Sequence, residues 1–490
     1  MRDKLSKGIN AGGIHPIVAR WVITGEMILK TAAHFGGEVE TAVDMAVLRD
    51  PNEGKPLLPG TSLAGALRSH LADVLDGYRS SEHREVAVLF GAARSDDAGS
   101  QSPLIVFDSI GKLPENGTLE IRDGVALDPR TGTAEAHKKF DFEVLPAGTV
   151  FPIRLELIVE DLKQELHLLS LLSVTLKGLS EGDISLGMRR SRGLGAVGVV
   201  NWKAVRHDLT TPEGWLDWLT SDHEKPIGDN VPGYDSIAEA LVAACSYPSI
   251  SEFPKDKRRR MLVNLELDIV GDLLVRSPAA SPDAPDAVHI CSAGEPVLPG
   301  TSLGGALRAQ AIRIARLVRE SYGDGDQWVD RIFGPRLESG ETAGSKGPAM
   351  ASKLRISESF IKNGSMRRQT RIAIDRFTGG VVQGALFEEQ VQVRGNLNVR
   401  LELRDPTDAE IGLVLLLIRD LLSGEIPVGG AVSVGRGILS GSAKVSLPDT
   451  TVVYIIEGNL SVEEKTREVF DAKIKAFCEA EPLQSEDEKS

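Results

Sequence analysis

The sequence predicts an α+β protein made of two tandem copies of one domain, and three observations lead to this prediction. An eleven-residue segment at residues 58–68 recurs at residues 298–308 with a single substitution. Four further motifs recur in the same order, each displaced by 240 to 247 residues. Strand-like and helix-like hydrophobic periods also follow the same order in both halves. A repeat that keeps order and spacing indicates internal duplication, so the function is expected in what both halves share.

Each half is expected to open with a strand and continue into a helix. Unit one has an apolar strand over residues 18–29, and unit two has a strand with strict alternation over residues 263–269. A long loop follows, and then the repeated segment, whose leucine spacing predicts a helix. The positions of this helix that are expected to be buried are Leu63, Leu67, Leu71 and Val74 in unit one, and Leu303, Leu307, Ile314 and Leu317 in unit two.

A second strand and helix complete each half. Arg-Leu-Glu-Leu strands occur at residues 154–157 and 400–403, and Thr407 with Glu410 predicts a capping box for the helix that follows in unit two. A glycine-rich loop and a last strand close each unit. The expected buried stripes are Leu162, Leu166, Leu169 and Leu176 in unit one, and Leu413, Leu417 and Leu421 in unit two.

The order β-α-β followed by β-α-β, with long insertions, predicts a ferredoxin-like fold for each unit. We expect the first domain at residues 1–205, a linker with short helices at 206–258, the second domain at 259–478 and an acidic tail at 479–490.

Composition narrows the class of protein. Apolar residues make up 41% of the 490 residues, and no 18-residue apolar run occurs, so no membrane span is expected. The N-terminal residues lack the apolar core of a signal peptide. Only Cys245, Cys291 and Cys478 occur, and none has metal-ligand spacing, so a cytoplasmic location is expected.

Charge gives a mixed indication about nucleic acid. The net charge of −14 argues against a generally basic, nucleic-acid-binding surface. Basic residues nevertheless cluster in a glycine-rich loop, at residues 255–260 and at residues 367–371. These clusters are consistent either with solvated faces or with a local binding stripe.

The repeated helix starts are candidate anion sites. Thr61 or Ser62 in unit one can cap the helix, and free backbone N–H groups at a helix start bind phosphate. Thr301 and Ser302 occupy the same positions in unit two. The arginines two turns later, Arg68 and Arg308, are either part of such a site or pair with a carboxylate on the domain surface.

The glycine-rich loops, residues 187–198 and 429–441, both carry arginine. Arginine suits phosphate contact, and glycine permits close backbone approach, although tight turns require glycine in any case. The arginines are Arg189, Arg190 and Arg192 in unit one and Arg436 in unit two, where the arginine has moved to the other side of the first shared glycine.

Several motifs of unit one resemble those of a known family. His34-Phe35-Gly36-Gly37, the segment 42–51 and the segment 58–63 are similar to the RAMP superfamily of CRISPR–Cas proteins, most of all to the backbone subunit of type III effector complexes. A chain with two such units resembles the fused tandem backbone proteins of some type III systems. The resemblance implies two ferredoxin-like, RRM-like RAMP domains with long loop and thumb insertions.

The resemblance also implies an activity. Such subunits bind a CRISPR RNA guide, hold the guide–target duplex, assemble with other subunits of the complex, and cleave the target single-stranded RNA with a divalent metal, which we expect to be Mg²⁺. Asp44 matches the catalytic position of the family. A carboxylate there would orient or deprotonate the ribose 2′-OH, or hold the metal. The alternative is an aspartate that merely caps a loop.

Unit two departs from this pattern because its loop lacks the Gly-Gly pair. When the two loops are aligned without a gap, Ala284 corresponds to Asp44, whereas a gap in the loop makes Asp286 or Asp283 correspond to it. The sequence therefore leaves open whether unit two cleaves. The thumb positions are Asp128 and Asp375 with their neighbouring arginines. The full set of predicted RNA-binding residues is His34, Thr61, Ser62, Arg68, Arg130, Arg189, Arg190, Arg192, Thr301, Ser302, Arg308, Arg371, Arg376 and Arg436.

Two other functions are compatible with the sequence. One is a non-catalytic RNA-binding scaffold. The other is a CRISPR-RNA processing endoribonuclease, for which a histidine-centred site is usual in the superfamily and His34 is the candidate.

Overall fold

The computed structural model describes most of the chain, and all structural statements concern this part. The described residues are 16–37, 43–78, 83–92, 101–115, 117–127, 134–228, 230–245, 247, 249–250, 254–277, 284–335, 350–448, 450, 452–457 and 463–481.

Unit one is built around one antiparallel sheet. Its strands are β1 (Ala19–Leu29), β2 (Gly36–Gly37), β3 (Ala46–Val47), β4 (Leu57–Leu58), β5 (Leu104–Val106), β6 (Ser109–Ile110), β7 (Glu120–Leu127), β8 (Ala134–Val144), β9 (Val150–Val159) and β10 (Val197–Asp208). Its helices, with those of the linker, are α1 (Gly60–Asp76), α2 (Arg84–Phe90), α3 (Leu162–Ser180), α4 (Pro212–Thr220) and α5 (Ile237–Ala243). The sheet order β10-β1-β9-β5 is the order of a ferredoxin-like fold.

Unit two repeats this architecture. Its strands are β11 (Arg260–Val270), β12 (Asp272–Leu273), β13 (Arg276–Ser277), β14 (Ala287–His289), β15 (Cys291–Ser292), β16 (Glu295–Leu298), β17 (Leu354–Ile356), β18 (Ser359–Phe360), β19 (Ser365–Ile374), β20 (Val381–Val393), β21 (Asn396–Arg404), β22 (Ile438–Ser446) and β23 (Val453–Ile456). Its helices are α6 (Gly300–Val318), α7 (Gly325–Phe333), α8 (Asp408–Leu422) and α9 (Glu464–Cys478). The sheet order β17-β21-β11-β22-β23 keeps the order of unit one and adds β23 at its edge. The predicted α+β tandem fold is therefore confirmed.

Helix α1 shows why the repeated segment folds as it does. Leu63, Leu67 and Leu71 are all buried against the sheet, as their spacing predicts. The helix begins at Gly60, with Pro59 at the N-cap, so the expectation that Thr61 or Ser62 caps it is wrong. Glycine is required at this start because a Cβ there would lie 2.3 Å from the backbone oxygen of Val106.

The apolar stripes of the other helices are confirmed only in part. Leu169 and Leu176 of α3 are buried, but Leu162 and Leu166 lie at its exposed first turns. In α6, Leu317 is 76% exposed, because it lies in the last turn, beyond the sheet. Helix α8 is buried along most of its length, and Thr407 and Glu410 form the predicted capping box. Helix α9 packs against α8, which extends the core of unit two.

The predicted domain limits stay a prediction, and the strand and helix ends near them are these. Strand β10 continues to Asp208, so the predicted limit at residue 205 falls inside a strand. Strand β11 begins at Arg260 and α9 ends at Cys478.

Each unit carries a long β-hairpin outside its central sheet. The unit-one hairpin is β7–β8 and the unit-two hairpin is β19–β20. The unit-two hairpin exposes a set of apolar side chains to solvent: Ile372, Ile374, Phe377, Val381, Val382, Leu386 and Phe387.

A buried ion pair joins the two units. Arg122 of the unit-one hairpin donates two hydrogen bonds to Glu358 of unit two, one of them 3.1 Å long. The two side chains are 5% and 0% exposed. Burial alone would lower the pKa of Arg122, but the charge and hydrogen bonds of Glu358 raise it above its usual value.

The glycine-rich loop of unit one packs directly on the start of α6 in unit two. A Cβ at Gly300 would lie 2.4 Å from the backbone oxygen of Arg192, and one at Gly193 would lie 2.1 Å from the backbone nitrogen of Glu358. These glycines therefore allow two backbones to meet at the junction, where any larger residue would force the units apart.

Part of the basic cluster at residues 255–260 also belongs to the junction. Asp183 of unit one accepts hydrogen bonds from Arg258 at 2.8 Å, Arg260 at 2.9 Å and Arg400 at 3.3 Å. Burial would raise the pKa of Asp183, but Arg258 and Arg260 hold it well below its usual range. These arginines tie the two units together, so at these positions the basic cluster is structural.

Candidate functional site

Asp44 is an exposed residue held against the base of the unit-one hairpin. Its carboxylate Oδ2 accepts a hydrogen bond from the backbone N–H of Asp141 at 2.9 Å. Its own backbone N–H donates to Oδ1 of Asp141, also at 2.9 Å. The next residue, Met45, forms a parallel bridge with Phe142. The carboxylate is thus fixed by the hairpin while it faces solvent.

Asp286 of unit two has the same backbone setting. Its Oδ2 accepts a hydrogen bond from the backbone N–H of Glu388 at 2.9 Å, and it is exposed. The next residue, Ala287, pairs in parallel with Glu389. Strand pairing therefore shows that Asp286, and not Ala284, is the residue of unit two that is equivalent to Asp44. Asp283 lies outside the described residues.

The surroundings of the two aspartates differ. In unit one, the Arg189 guanidinium lies 4.8 Å from the ring centres of both Phe140 and Phe142. Cross-strand register places Arg122 opposite Phe142 in unit one, and Gln369 opposite Glu389 in unit two. The buried carboxylate of Glu389 in unit two therefore takes the place of the buried ring of Phe142 in unit one.

Glu389 gathers the arginines at the base of the unit-two hairpin. Its carboxylate lies 2.8 Å from Arg436, 3.5 Å from Arg276 and 3.6 Å from Arg371. Buried carboxylates are stable only when they are paired in this way. Sequence reasoning missed Glu389, because nothing in an alternating strand shows which of two neighbouring glutamates is buried.

Arg436 is not placed to bind RNA. It is 3% exposed, and it donates to Glu389 at 2.8 Å and to the side-chain oxygen of Gln369 at 2.5 Å. The prediction of an RNA contact for Arg436 is corrected on this ground: the arginine crosslinks the hairpin internally. When the two glycine-rich loops are aligned on their 3₁₀ turns, Arg436 corresponds to the buried Leu194 and not to Arg192.

The same register shows how far the two glycine-rich loops have diverged. Arg189 and Ala431 both adopt left-handed backbone before a short 3₁₀ turn. The turn contains Arg190 and Arg192 in unit one, but the exposed residues Val432 and Val434 in unit two. Of the two 3₁₀ turns, only that of unit one therefore carries arginine.

The three arginines of the unit-one loop point in different directions. Arg190 is exposed, whereas Arg189 is stacked on aromatic rings and burial lowers its pKa. Arg192 points into unit two, where it donates to the backbone oxygen of Phe333 at 3.3 Å. Burial, together with Arg308 and Arg189, lowers the pKa of Arg192 to about 10. Of the three, Arg190 is the residue best placed to meet a ligand from solvent.

Arg68 and Arg308 have matching structural roles. Arg68 donates to the backbone oxygen of Phe90, the last residue of α2, at 3.2 Å. Arg308 donates to the backbone oxygen of Gly334 at 2.6 Å and to Asp330 at 2.6 Å. Each arginine thus stabilises the C-terminal end of the short helix that follows, where carbonyl groups lack partners. This placement gives both arginines a structural role, and their contact with RNA stays a prediction.

His34 is also an internal residue. It is 3% exposed, its Nδ1 lies 2.7 Å from the backbone oxygen of Glu143, and its ring meets Phe142 edge-on. The prediction that His34 contacts RNA is therefore corrected, since the ring packs between strand ends.

The two helix starts differ in their access to solvent. Thr61 and Ser62 are exposed at the start of α1. Thr301 and Ser302 instead line a cavity of about 60 Å³ at the junction of the units, together with arginines of unit one. The start of α6 thus faces the neighbouring unit.

The predicted thumb residues are described only in unit two. Asp128 and Arg130 lie outside the described residues. Arg376 is exposed at the tip of the unit-two hairpin, with its guanidinium 4.5 Å from the ring centre of Phe377. Asp375 accepts hydrogen bonds from the backbone of Phe377 and Thr378, which lower its pKa, so its carboxylate shapes the turn.

The described part of unit one contains no closed metal centre. No group of three His, Cys, Asp or Glu side chains that could hold a metal is found in the described part of the chain. Asp44 and Asp141 do place two carboxylates side by side. Mg²⁺ is often held by only one or two carboxylates, and the exposed Asp44 carboxylate is of the donor type that this ion takes.

Comparisons with known proteins agree with the geometry. The RAMP superfamily matches twice, at residues 26–198 and at residues 275–440. A curated relative, the CRISPR system Cms endoribonuclease Csm3 of Enterococcus italicus, is 35% identical over 81 residues, which is 15% of this chain. The match covers 38% of the length of that relative. Among the described helices, none is long and apolar enough to cross a membrane.

Proposed function

This chain belongs to the RAMP superfamily, and from that premise we propose that it is a type III CRISPR backbone subunit that binds a guide RNA and cleaves the target RNA. The observation that carries the proposal is the pair of equivalent aspartates. Asp44 and Asp286 are both exposed, and each accepts a hydrogen bond from the same backbone position of its hairpin. The name of the partial relative, an endoribonuclease, supports the same activity.

Cleavage of RNA by its own ribose 2′-OH requires mainly a carboxylate held in the right position. Asp44 would orient the ribose 2′-OH of the target strand, or accept its proton, as the 2′-oxygen attacks the neighbouring phosphorus and the bond to the 5′-oxygen breaks. A bound Mg²⁺, held through Asp44, would supply positive charge beside the phosphate. Because the Asp44 carboxylate is fixed by the hairpin before RNA arrives, no reorganisation of that side chain is needed.

RNA contacts are proposed for the exposed residues of the same faces. Arg190 and Arg376 would contact phosphates, and the exposed hydroxyl groups of Thr61 and Ser62 would add donors at the start of α1. The exposed rings of Phe377 and Phe387 on the unit-two hairpin suit stacking against bases, which is how proteins often hold single-stranded or distorted RNA. Guide RNA, target RNA and other subunits of the complex are the proposed partners.

The test is cleavage of a complementary RNA by the assembled complex. Asp44→Ala is expected to abolish the cut opposite unit one while guide binding and assembly persist. Asp268→Ala is the matched control, since Asp268 is an exposed aspartate on β11 that pairs with β21 and β22 and not with a hairpin strand. Unchanged cutting in Asp44→Ala would show that the carboxylate has no catalytic role.

A binding-only scaffold is the second candidate, because no three-residue metal cluster occurs among the described residues. It predicts guide binding without any cut that depends on Asp44 or Asp286. Processing of CRISPR RNA is disfavoured by the burial of His34.

A further inference from the structure

We propose that Asp141 is a positioning residue for Asp44, an inference that rests on the proposed cleavage of target RNA by unit one. The two aspartates form a closed pair in which each backbone N–H donates to the carboxylate of the other, at 2.9 Å in both directions. An exposed aspartate normally samples several side-chain conformations. The reciprocal pair selects one of them for Asp44, because its N–H and its Oδ2 are both tied to one residue of β8.

The hairpin makes Asp141 a rigid support. It lies between Phe140 and Phe142, whose stacked rings are 6.0 Å apart under the guanidinium of Arg189. Phe142 is 3% exposed, so this part of β8 is anchored in the small core at the hairpin base. Successive side chains of a strand point to opposite faces, so burying the two rings directs Asp141 toward Asp44.

Unit two provides a natural comparison, because it contains only half of this arrangement. The backbone N–H of Glu388 donates to Asp286, as that of Asp141 does to Asp44. In the described part of unit two, however, the Glu388 carboxylate accepts no hydrogen bond from the backbone N–H of Asp286. A glutamate is one methylene longer than an aspartate, so the Glu388 carboxylate cannot take the same position relative to its own backbone as the Asp141 carboxylate. Among the described residues, Asp286 is therefore held to the hairpin through its carboxylate, without the second hydrogen bond that Asp44 has.

This difference yields a test within one chain. Asp141→Ala removes the oxygen that accepts the Asp44 N–H, and we expect the single-turnover rate at the unit-one cut to fall about 10- to 100-fold, the usual cost of misplacing a catalytic group. Asp141→Asn keeps an accepting oxygen and should restore the rate to within about threefold of the native protein. Glu388→Ala is the matched control and should leave the unit-two cut unchanged.

The readouts separate positioning from folding and from failure of the proposed function. Target affinity, guide binding and thermal unfolding should be unchanged in Asp141→Ala, because only the alignment of Asp44 is altered. Loss of both cuts together with a lowered melting temperature would overturn the inference in favour of a purely structural role. An equal fall in the unit-one cutting rate in Asp141→Asn and Asp141→Ala would also overturn the inference. If Asp44→Ala abolishes the unit-one cut while Asp141→Ala has no effect, the inference alone fails. If Asp44→Ala itself cuts normally, the proposed function fails.

Discussion

The buried ion pair at the junction makes Glu358→Ala the perturbation with the most definite expected cost. The change removes both acceptors of the Arg122 guanidinium and leaves its charge buried, since the Arg122 side chain is only 5% exposed. Removing one partner of a buried pair costs about 3–5 kcal/mol. Glu120 lies 3.8 Å from Arg122 and offsets part of the loss, so we expect a value of about 3 kcal/mol.

The assay is equilibrium unfolding in urea, followed by a probe in each unit. The first control is Asp326→Ala, which breaks an ion pair with Arg316 whose side chains are 57% and 58% exposed, and should cost less than about 1 kcal/mol. The second is the double variant Arg122→Met with Glu358→Leu, which removes both charges of the pair and should recover most of the loss. The reasoning is refuted if Glu358→Ala costs no more than Asp326→Ala, or if the double variant is as unstable as the single one.

Three further predictions follow from the corrected site. Arg308→Ala should lower stability by about 1–3 kcal/mol in thermal unfolding with unchanged RNA affinity, because its bonds go to Gly334 and Asp330; weaker RNA binding without loss of stability would contradict this. Burial lowers the pKa of His289 from 6.5 to about 4, so the unfolded chain takes up its proton first as pH falls, and stability should decrease between about pH 6.5 and 4. His289→Gln should reduce the stability that is lost over this pH range by up to about 3 kcal/mol. An unchanged dependence of stability on pH would contradict the lowered pKa of His289. Arg190→Ala should weaken guide binding and reduce its salt dependence by about one counterion, whereas an unchanged slope would exclude a phosphate contact.

The fold could be predicted from the sequence because its signals are local and occur twice. Alternation in β11, the leucine spacing of α1 and the capping box of α8 each reflect the burial of a single element. The duplicated order then fixed the βαβ arrangement without any long-range information. The same reasoning overextended the apolar stripes at helix ends, where Leu162 and Leu317 lie beyond the sheet.

The site could be predicted only in part, because burial of a charged residue depends on partners far away in the chain. Arg122 and Glu358 are 236 residues apart, and no local pattern relates them. Arg436 lies in a glycine-rich loop, and the sequence does not show that its side chain contacts Glu389. Asp286 could not be chosen over its neighbours from spacing, since the loop before it has diverged, and the pairing of β14 with β20 supplied the register.

The most direct test of the central claim is a map of cut positions on a target RNA in the assembled complex, compared among the native chain, Asp44→Ala and Asp286→Ala. Equivalent settings of the two aspartates predict two cuts per chain, with each variant losing a different one and the double variant losing both. A native chain that leaves the target intact, or variants whose cuts match those of the native chain, would contradict the claim that these carboxylates cleave RNA.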